Sequence, residues 1–251
     1  MGIQQYQNFQ SYPLKSNSWN SIITHLYTGT PTSPRGLSSI TTPSFSAGHL
    51  PSSLLDNAFQ QNYSITIESF FTNFHAQHPF LLPRPFLLKI LNQTSLRLLS
   101  LVVQYIGSFF ACPELTKDLH DLIVPELSSI TLPKNSFSVQ ALLLFSIGLS
   151  AAFDLHESDK YLEVATNMAL EIGMHHREFA ESNGKNCKVR EESWRRTWWE
   201  LYVIQGLSAG TCTKHNFTLF AVNTDVFLPC DEWQYMTGVR SLVLNLESPL
   251  S

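Results

Sequence analysis

Charge is what this sequence has least of. Asp, Glu, Lys and Arg together supply 14% of its 251 residues, against roughly 25% in an ordinary soluble chain. What charge there is sums to −4. That balance excludes the clustered Lys and Arg that bind nucleic-acid phosphates by displacing counterions. The same shortage argues against an anionic membrane surface as a partner. Glycine is sparse, at 11 residues, and no GxGxxG, P-loop or GxSxG pattern occurs, which removes the common nucleotide-binding and hydrolase sites. Cysteine is limited to Cys112, Cys187, Cys212 and Cys230, far apart and without a CxxC pair. Buried, reduced thiols are expected, as in the cytosol or nucleus, rather than a disulfide framework or a zinc site.

A membrane span and a secretory leader are also missing from the expectation. The longest apolar run, Ser138 to Phe153, falls short of the ~20 residues a span needs and carries Gln140, Ser146 and Ser150. The opening Met1-Gly2-Ile3-Gln4-Gln5-Tyr6 has no apolar h-region, and Tyr6 stands where a myristoylation motif wants Ser or Thr. The acceptor-like triplets at Asn62, Asn92 and Asn216 are accordingly read as chance matches.

What is present divides the chain into three parts. Residues 1–62 are nearly uncharged and rich in Ser, Thr, Asn, Gln and Pro. About half of the stretch from Thr28 to Ser46 is Ser or Thr, too little apolar surface to offset the entropy of ordering. A disordered, linker-like segment is expected there, with Ser33-Pro34 and Thr42-Pro43 resembling proline-directed kinase substrates. Residues 63–235 carry helical periodicity, and 236–251 form a short tail without a distinct signal. The fold class implied is all-α.

Within the middle part Ile67, Phe70, Phe71 and Phe74 fall on one helical face, with Ser64 or Thr66 as cap. Pro79, Pro83 and Pro85 break the chain at an extended corner. An apolar helix runs from Leu96 to Phe110, ended by Pro113. A short amphipathic piece, Leu115 to Leu122, leads toward Pro125 and Pro133. Ser138 to Phe153 is apolar on nearly every face, the mark of a central buried helix. Residues 158–172 read as an amphipathic helix capped by Ser158 and stopped by a left-handed Gly173. A polar loop is expected from Glu178 to Lys188, then a helix from about Val189 to Leu207. That helix pairs Glu191 with Arg195 and Glu192 with Arg196, with Glu200 also in reach of Arg196. Trp194, Trp198, Leu201 and Tyr202 define its buried side, and both Trp198 and Trp199 are placed in the core. Phe217 to Val222 is expected to be extended, followed by a loop from Asn223 to Pro229.

No residue earns assignment as catalytic, cofactor-binding, metal-binding or DNA-binding. His75 and His78 give HAQH rather than the HExxH of a zincin. His175-His176 sits beyond a helix C-terminus, where histidines meet terminal carbonyls favourably. Arg195 and Arg196 offer an anion site, but their own Glu neighbours favour a structural role.

Four stretches then carry a resemblance. They are Phe70-Phe71-Thr72-Asn73-Phe74-His75-Ala76-Gln77-His78-Pro79-Phe80; Val139-Gln140-Ala141-Leu142-Leu143-Leu144 onward to Gly173-Met174-His175-His176-Arg177; Glu192-Ser193-Trp194-Arg195-Arg196-Thr197-Trp198-Trp199-Glu200-Leu201-Tyr202; and Leu228-Pro229-Cys230-Asp231-Glu232-Trp233. In this order they resemble the middle homology region of fungal binuclear zinc-cluster transcription factors: an aromatic helix ending in "HP", "QALLLL", "A…A…GLHR", "E…RRxWWxLY" and "LPxDDxxW". The resemblance implies an all-α regulatory domain in a nuclear regulator of a metabolic or secondary-metabolite gene set, responsive to a small-molecule effector or a protein partner. The departures are specific. The family's six-cysteine, two-zinc module and basic linker are not in this sequence, so no zinc ligand is carried over and no cofactor is expected in these residues. Gln205 replaces a common Asp, no Gly-Arg-Pro appears around Thr213–His215, and a short tail follows Trp233. These departures fit a truncated gene product, a gene model missing exons, or a stand-alone regulator that has lost DNA binding, with DNA reached only through a missing module or a partner. Two alternatives from other classes are a helical interaction protein that competes with a full-length relative, and a helical enzyme or small-molecule carrier.

Overall fold

The computed structural model describes residues 62–211 and 217–238. The readings made for residues 1–61, for Cys212 and Thr213–His215, and for 239–251 lie outside the described residues. Nine α-helices and no strand occur among those described.

The first helix, α1, spans 62–70 and widens into a π-helical turn at Phe71–His75. Helix is already present at residue 62, the first described, ahead of the expected caps, and Thr66 is inside it, donating its hydroxyl to the carbonyl of Asn62. The extra residue in the wide turn rotates the face: Ile67, Phe70 and Phe74 are buried while Phe71 is half-buried. After the proline corner comes α2, Arg84–Leu91, which periodicity alone did not reveal. Pro85 lies in its first turn, where a missing N–H costs nothing, and only Leu87 and Leu91 are buried.

A single turn, Thr94–Leu96, leads into α3, Arg97–Ala111. The combined stretch Thr94–Ala111 is long and apolar enough to cross a membrane by length and composition, and 56% of it is buried within the domain. Helix α4, Thr116–Leu127, continues past Leu122 through Pro125. Pro125 lies inside the helix and forgoes the N–H bond to the carbonyl four residues back, while Ile123 and Leu127 on either side of it are buried.

Helix α5, Ser136–Ala151, is the centre of the core. Asn135 caps it by accepting the N–H groups of Phe137 and Ser138 at 3.0 Å each. Val139 and Ala141 through Phe145 have no solvent exposure. At its end Phe153 turns the chain with φ +64, and Asp154 caps α6, Leu155–Glu171. Ser158 is therefore not the cap. It lies inside α6 and exchanges hydrogen bonds with Ser146 of α5: Ser146 Oγ donates to the Ser158 carbonyl at 2.8 Å, and Ser158 Oγ to the Ser146 carbonyl at 2.9 Å. Gly173 ends α6 with φ +82, as its position predicts.

The expected loop after Arg177 contains a short helix, α7, Arg177–Asn183. It buries only Ala180, so its sequence carries little apolar period. Lys185 and Asn186 take left-handed backbone to turn into α8, Lys188–Thr211, one turn longer than expected. Thr218–Ala221 is a 3-10 turn rather than an extended strand. Gln205 holds it by accepting the Leu219 N–H at 2.8 Å and donating to Thr218 Oγ1 at 2.9 Å. Residues 222–231 are irregular, and α9, Glu232–Thr237, closes the described region, stopped by Gly238 at φ +68.

One contact sets how closely α1 and α3 approach. A Cβ on Gly107 would lie 1.9 Å from the backbone oxygen of Thr66. Backbone cannot swing aside as a side chain does. Gly107→Ala is expected to lower stability by about 1–3 kcal/mol through overpacking, measured by urea denaturation; an unchanged midpoint would contradict this crossing.

Candidate functional site

The four stretches singled out in the sequence meet at one buried polar hub. On α8, Ser193, Arg196, Thr197 and Glu200 recur at helical spacing and form a polar strip along an otherwise packed element. Gln140, the one amide in the apolar α5, is 1% exposed. Its side-chain nitrogen reaches the Phe80 carbonyl at 3.2 Å, Ser193 Oγ at 3.0 Å and Thr197 Oγ1 at 2.8 Å. Ser193 also donates to the Phe80 carbonyl at 2.8 Å. The central helix, the proline corner and α8 are thereby fixed to one another. Gln140→Leu is expected to cost about 1–3 kcal/mol, because buried hydroxyls lose a partner; a melting curve coincident with the parent would refute the network.

Arg196 is the second centre. Its Nε donates to Glu192 at 3.2 Å, one terminal nitrogen to Glu232 at 2.7 Å and to the Pro79 carbonyl at 3.4 Å, the other to the Cys230 carbonyl at 2.8 Å. Its guanidinium lies 4.2 Å over the Tyr235 ring. Glu192, equally buried, accepts from Arg195 and from the Cys230 N–H, each at 2.8 Å. Burial opposes the Arg196 charge, but the Glu232 hydrogen bond and the charges of Glu232 and Glu192 outweigh it and raise its pKa. Desolvation first, then Glu192, pushes the Cys230 thiol up to about 11. Burial likewise raises the Tyr235 hydroxyl, which donates to the Leu81 carbonyl at 2.8 Å.

These partners correct the sequence pairing in part. Glu192–Arg196 forms as expected, but Glu191 meets Lys188 at 2.8 Å rather than Arg195. Arg195 turns to Glu192. Glu200 meets His78 at 2.6 Å, and Arg196 reaches Glu232, 36 residues away, instead of Glu200. Trp198 has no exposed surface, whereas Trp199 is half-buried and donates its indole N–H to the Phe227 carbonyl at 2.9 Å. Trp199 is therefore not a core residue.

His75 and His78 part company. His75 is 3% exposed and its Nε2 hydrogen-bonds the Leu81 carbonyl at 3.3 Å. His78 stacks on Phe74 at 4.6 Å and pairs with Glu200. Burial, ahead of the stabilising Leu81 and Leu82 carbonyls, lowers the His75 pKa below its usual 6.5. A histidine held neutral contributes fully above its unfolded pKa, and that contribution is lost as pH falls through the folded value. The unfolding free energy is thus expected to drop as pH falls below the ordinary histidine value of about 6.5. His75→Gln should flatten that slope, with His175, lowered mainly by burial and then by His176, leaving a remainder. Identical slopes in both proteins would contradict a buried neutral His75.

Chemically, this hub neutralises charge and fixes geometry. Among the described residues no three His, Cys, Asp or Glu side chains gather as a metal would require. The rings of His175 and His176 lie 3.8 Å apart. Away from the hub, a groove of about 360 Å³ opens where α3 begins, bordered by Arg97, Leu98, Glu126, Leu132 and Phe137. Arg97 and Glu126 pair across it. Sequence reasoning missed Glu232, Tyr235 and the His78–Glu200 pair, since nothing local brings residues 79–81, 192–200 and 230–235 together. The lone Gln140 in an apolar helix was the available signal.

Residues 67–238 match the fungal specific transcription factor domain, more than half of the chain. A curated protein of Pestalotiopsis fici, the C6 finger domain transcription factor iacK, is 36% identical over 182 residues. The alignment covers 72% of this chain and 27% of that protein, so the chain spans about a quarter of its relative's length. No solved structure matches.

Proposed function

Because the chain belongs to the fungal specific transcription factor domain family, we propose that it is the regulatory part of a nuclear transcription regulator. The genes it controls form a metabolic or secondary-metabolite set. It performs no catalysis. It relays the state of a protein partner or small-molecule effector to a DNA-bound assembly. The observation that carries this reading is the coincidence of the family's most marked stretches with the Gln140–Arg196 hub, a closed network joining distant segments. Such a network suits a domain that must hold one arrangement against another. DNA contact comes from elsewhere, because these 251 residues hold four cysteines and a net charge of −4.

The same two facts favour a second reading, a helical interaction protein that associates with a full-length relative and does not itself touch DNA. A tagged copy expressed from its own locus separates the readings. Nuclear signal with recovery of promoter fragments supports the first. Recovery of a zinc-cluster protein without DNA supports the second. Exclusion from the nucleus would sink the first.

A further inference from the structure

The segment from Val222 to Gly238 is attached in an unusual way. Of its 17 residues only Val226 and Tyr235 are buried. Polar bonds hold the rest. Thr224 Oγ1 donates to the His175 carbonyl at 2.9 Å, and Asp225 accepts the Arg177 N–H at 2.8 Å. Trp199 holds the Phe227 carbonyl, Glu192 the Cys230 N–H, and Arg196 both the Cys230 carbonyl and the Glu232 carboxylate. Tyr235 inserts beneath Arg196 to reach the Leu81 carbonyl. Lifting this strap uncovers a seat with a fixed character. It offers a buried cation, an indole donor, a carboxylate that accepts a backbone N–H, and a slot for one phenol ring.

We propose that this seat is a peptide-docking site, filled in the resting chain by its own strap. Its external partner is an acidic segment with a helical turn that presents a carboxylate and, three residues later on the same face, a tyrosine, as α9 presents Glu232 and Tyr235. The charge complementarity is specific: Arg196 donates to a carboxylate edge and its planar face covers an aromatic ring. Three observations make the strap the element that gives way. It buries two side chains where α5 buries nearly all, Glu232 is half-exposed, and the residues around Trp233 and Leu228 face solvent. Segments with few buried apolar contacts open below the global unfolding free energy. A tethered segment competes at an effective concentration on the order of millimolar, so docking responds to anything that weakens the strap. This inference does not depend on the transcriptional reading, because purified protein tests it alone.

The probe is a labelled peptide of residues 228–238 carrying Cys230→Ser. It is titrated against the full 251-residue chain and against the chain bearing Glu232→Gln and Tyr235→Ala. Binding to the variant should be at least about tenfold tighter than to the parent. A control peptide with Glu232→Gln and Tyr235→Ala should not saturate either protein. In the parent chain, excess peptide should speed amide hydrogen exchange across 222–238 and leave α5 protected. The proposal is overturned if the variant, its α5 amides still protected, fails to bind or binds the control equally. If the variant does not fold, the parent chain decides: no change in strap exchange with excess peptide overturns the seat.

Discussion

Trp198→Ala lowers the unfolding free energy by about 3–5 kcal/mol, the usual cost of emptying a large buried aromatic site, while Trp199→Ala costs about 1–2 kcal/mol. The two neighbours differ because α8 turns them by about 100° from one another. Trp198 points into the core against His175, at a ring distance of 6.0 Å, and shows no surface. Trp199 lies along the edge, its N–H spent on the Phe227 carbonyl and its ring set edge-on to Tyr202 at 5.7 Å. A further substitution isolates one term. The Trp198 indole N–H is buried and has no acceptor among the described residues, and a buried donor left unpaired costs about 1–3 kcal/mol. Trp198→Phe removes that orphan donor along with some volume, so it should cost less than about 1.5 kcal/mol. Urea midpoints for the three variants check the set. Equal losses at 198 and 199 would contradict the orientation of α8.

Arg196→Ala carries the second large effect, again about 3–5 kcal/mol, because it leaves Glu192 charged and buried with one partner fewer. Glu192 is 4% exposed and would keep only Arg195 and the Cys230 N–H. Arg196→Lys should recover only part of the loss. A single ammonium on a flexible stem cannot address two carboxylates, two carbonyls and a ring at once. Glu232→Gln should cost far less, since Glu232 is half-exposed and water replaces the lost bond. The ordering Ala worse than Lys, and both worse than Glu232→Gln, is measurable by chemical denaturation. A lysine variant as stable as the parent would show that charge alone, not the fork geometry, holds the hub.

How much of this was legible beforehand follows from what each residue depends on. The central α5 was plain because a run apolar on every face has no other stable place. The stop at Gly173 was plain because a left-handed position selects glycine. Helices α2 and α7 were hidden for the opposite reason: each buries one or two side chains, so neither writes a period into the sequence. The cap of α6 was displaced by four residues because Ser158 is as good a local cap as Asp154. Only the partner Ser146, twelve residues back, draws it inside. The same holds for the charges on α8. Local spacing offers Arg196 both Glu192 and Glu200, but the chain returns at Cys230–Tyr235 and the proline corner brings His78, so tertiary contacts reassign the pairs. The family motifs marked the right stretches without saying that they touch.

In the proposed function, gene regulation by this domain requires an intact Arg196 hub. Transcript profiling tests it most directly, in cells with the gene disrupted, restored with the parent sequence, or restored with Arg196→Ala at matched protein level. The expected result is a coherent set of changed transcripts that the parent restores and the Arg196 variant does not. A disruption that leaves the transcript profile unchanged while the parent protein is expressed would contradict it.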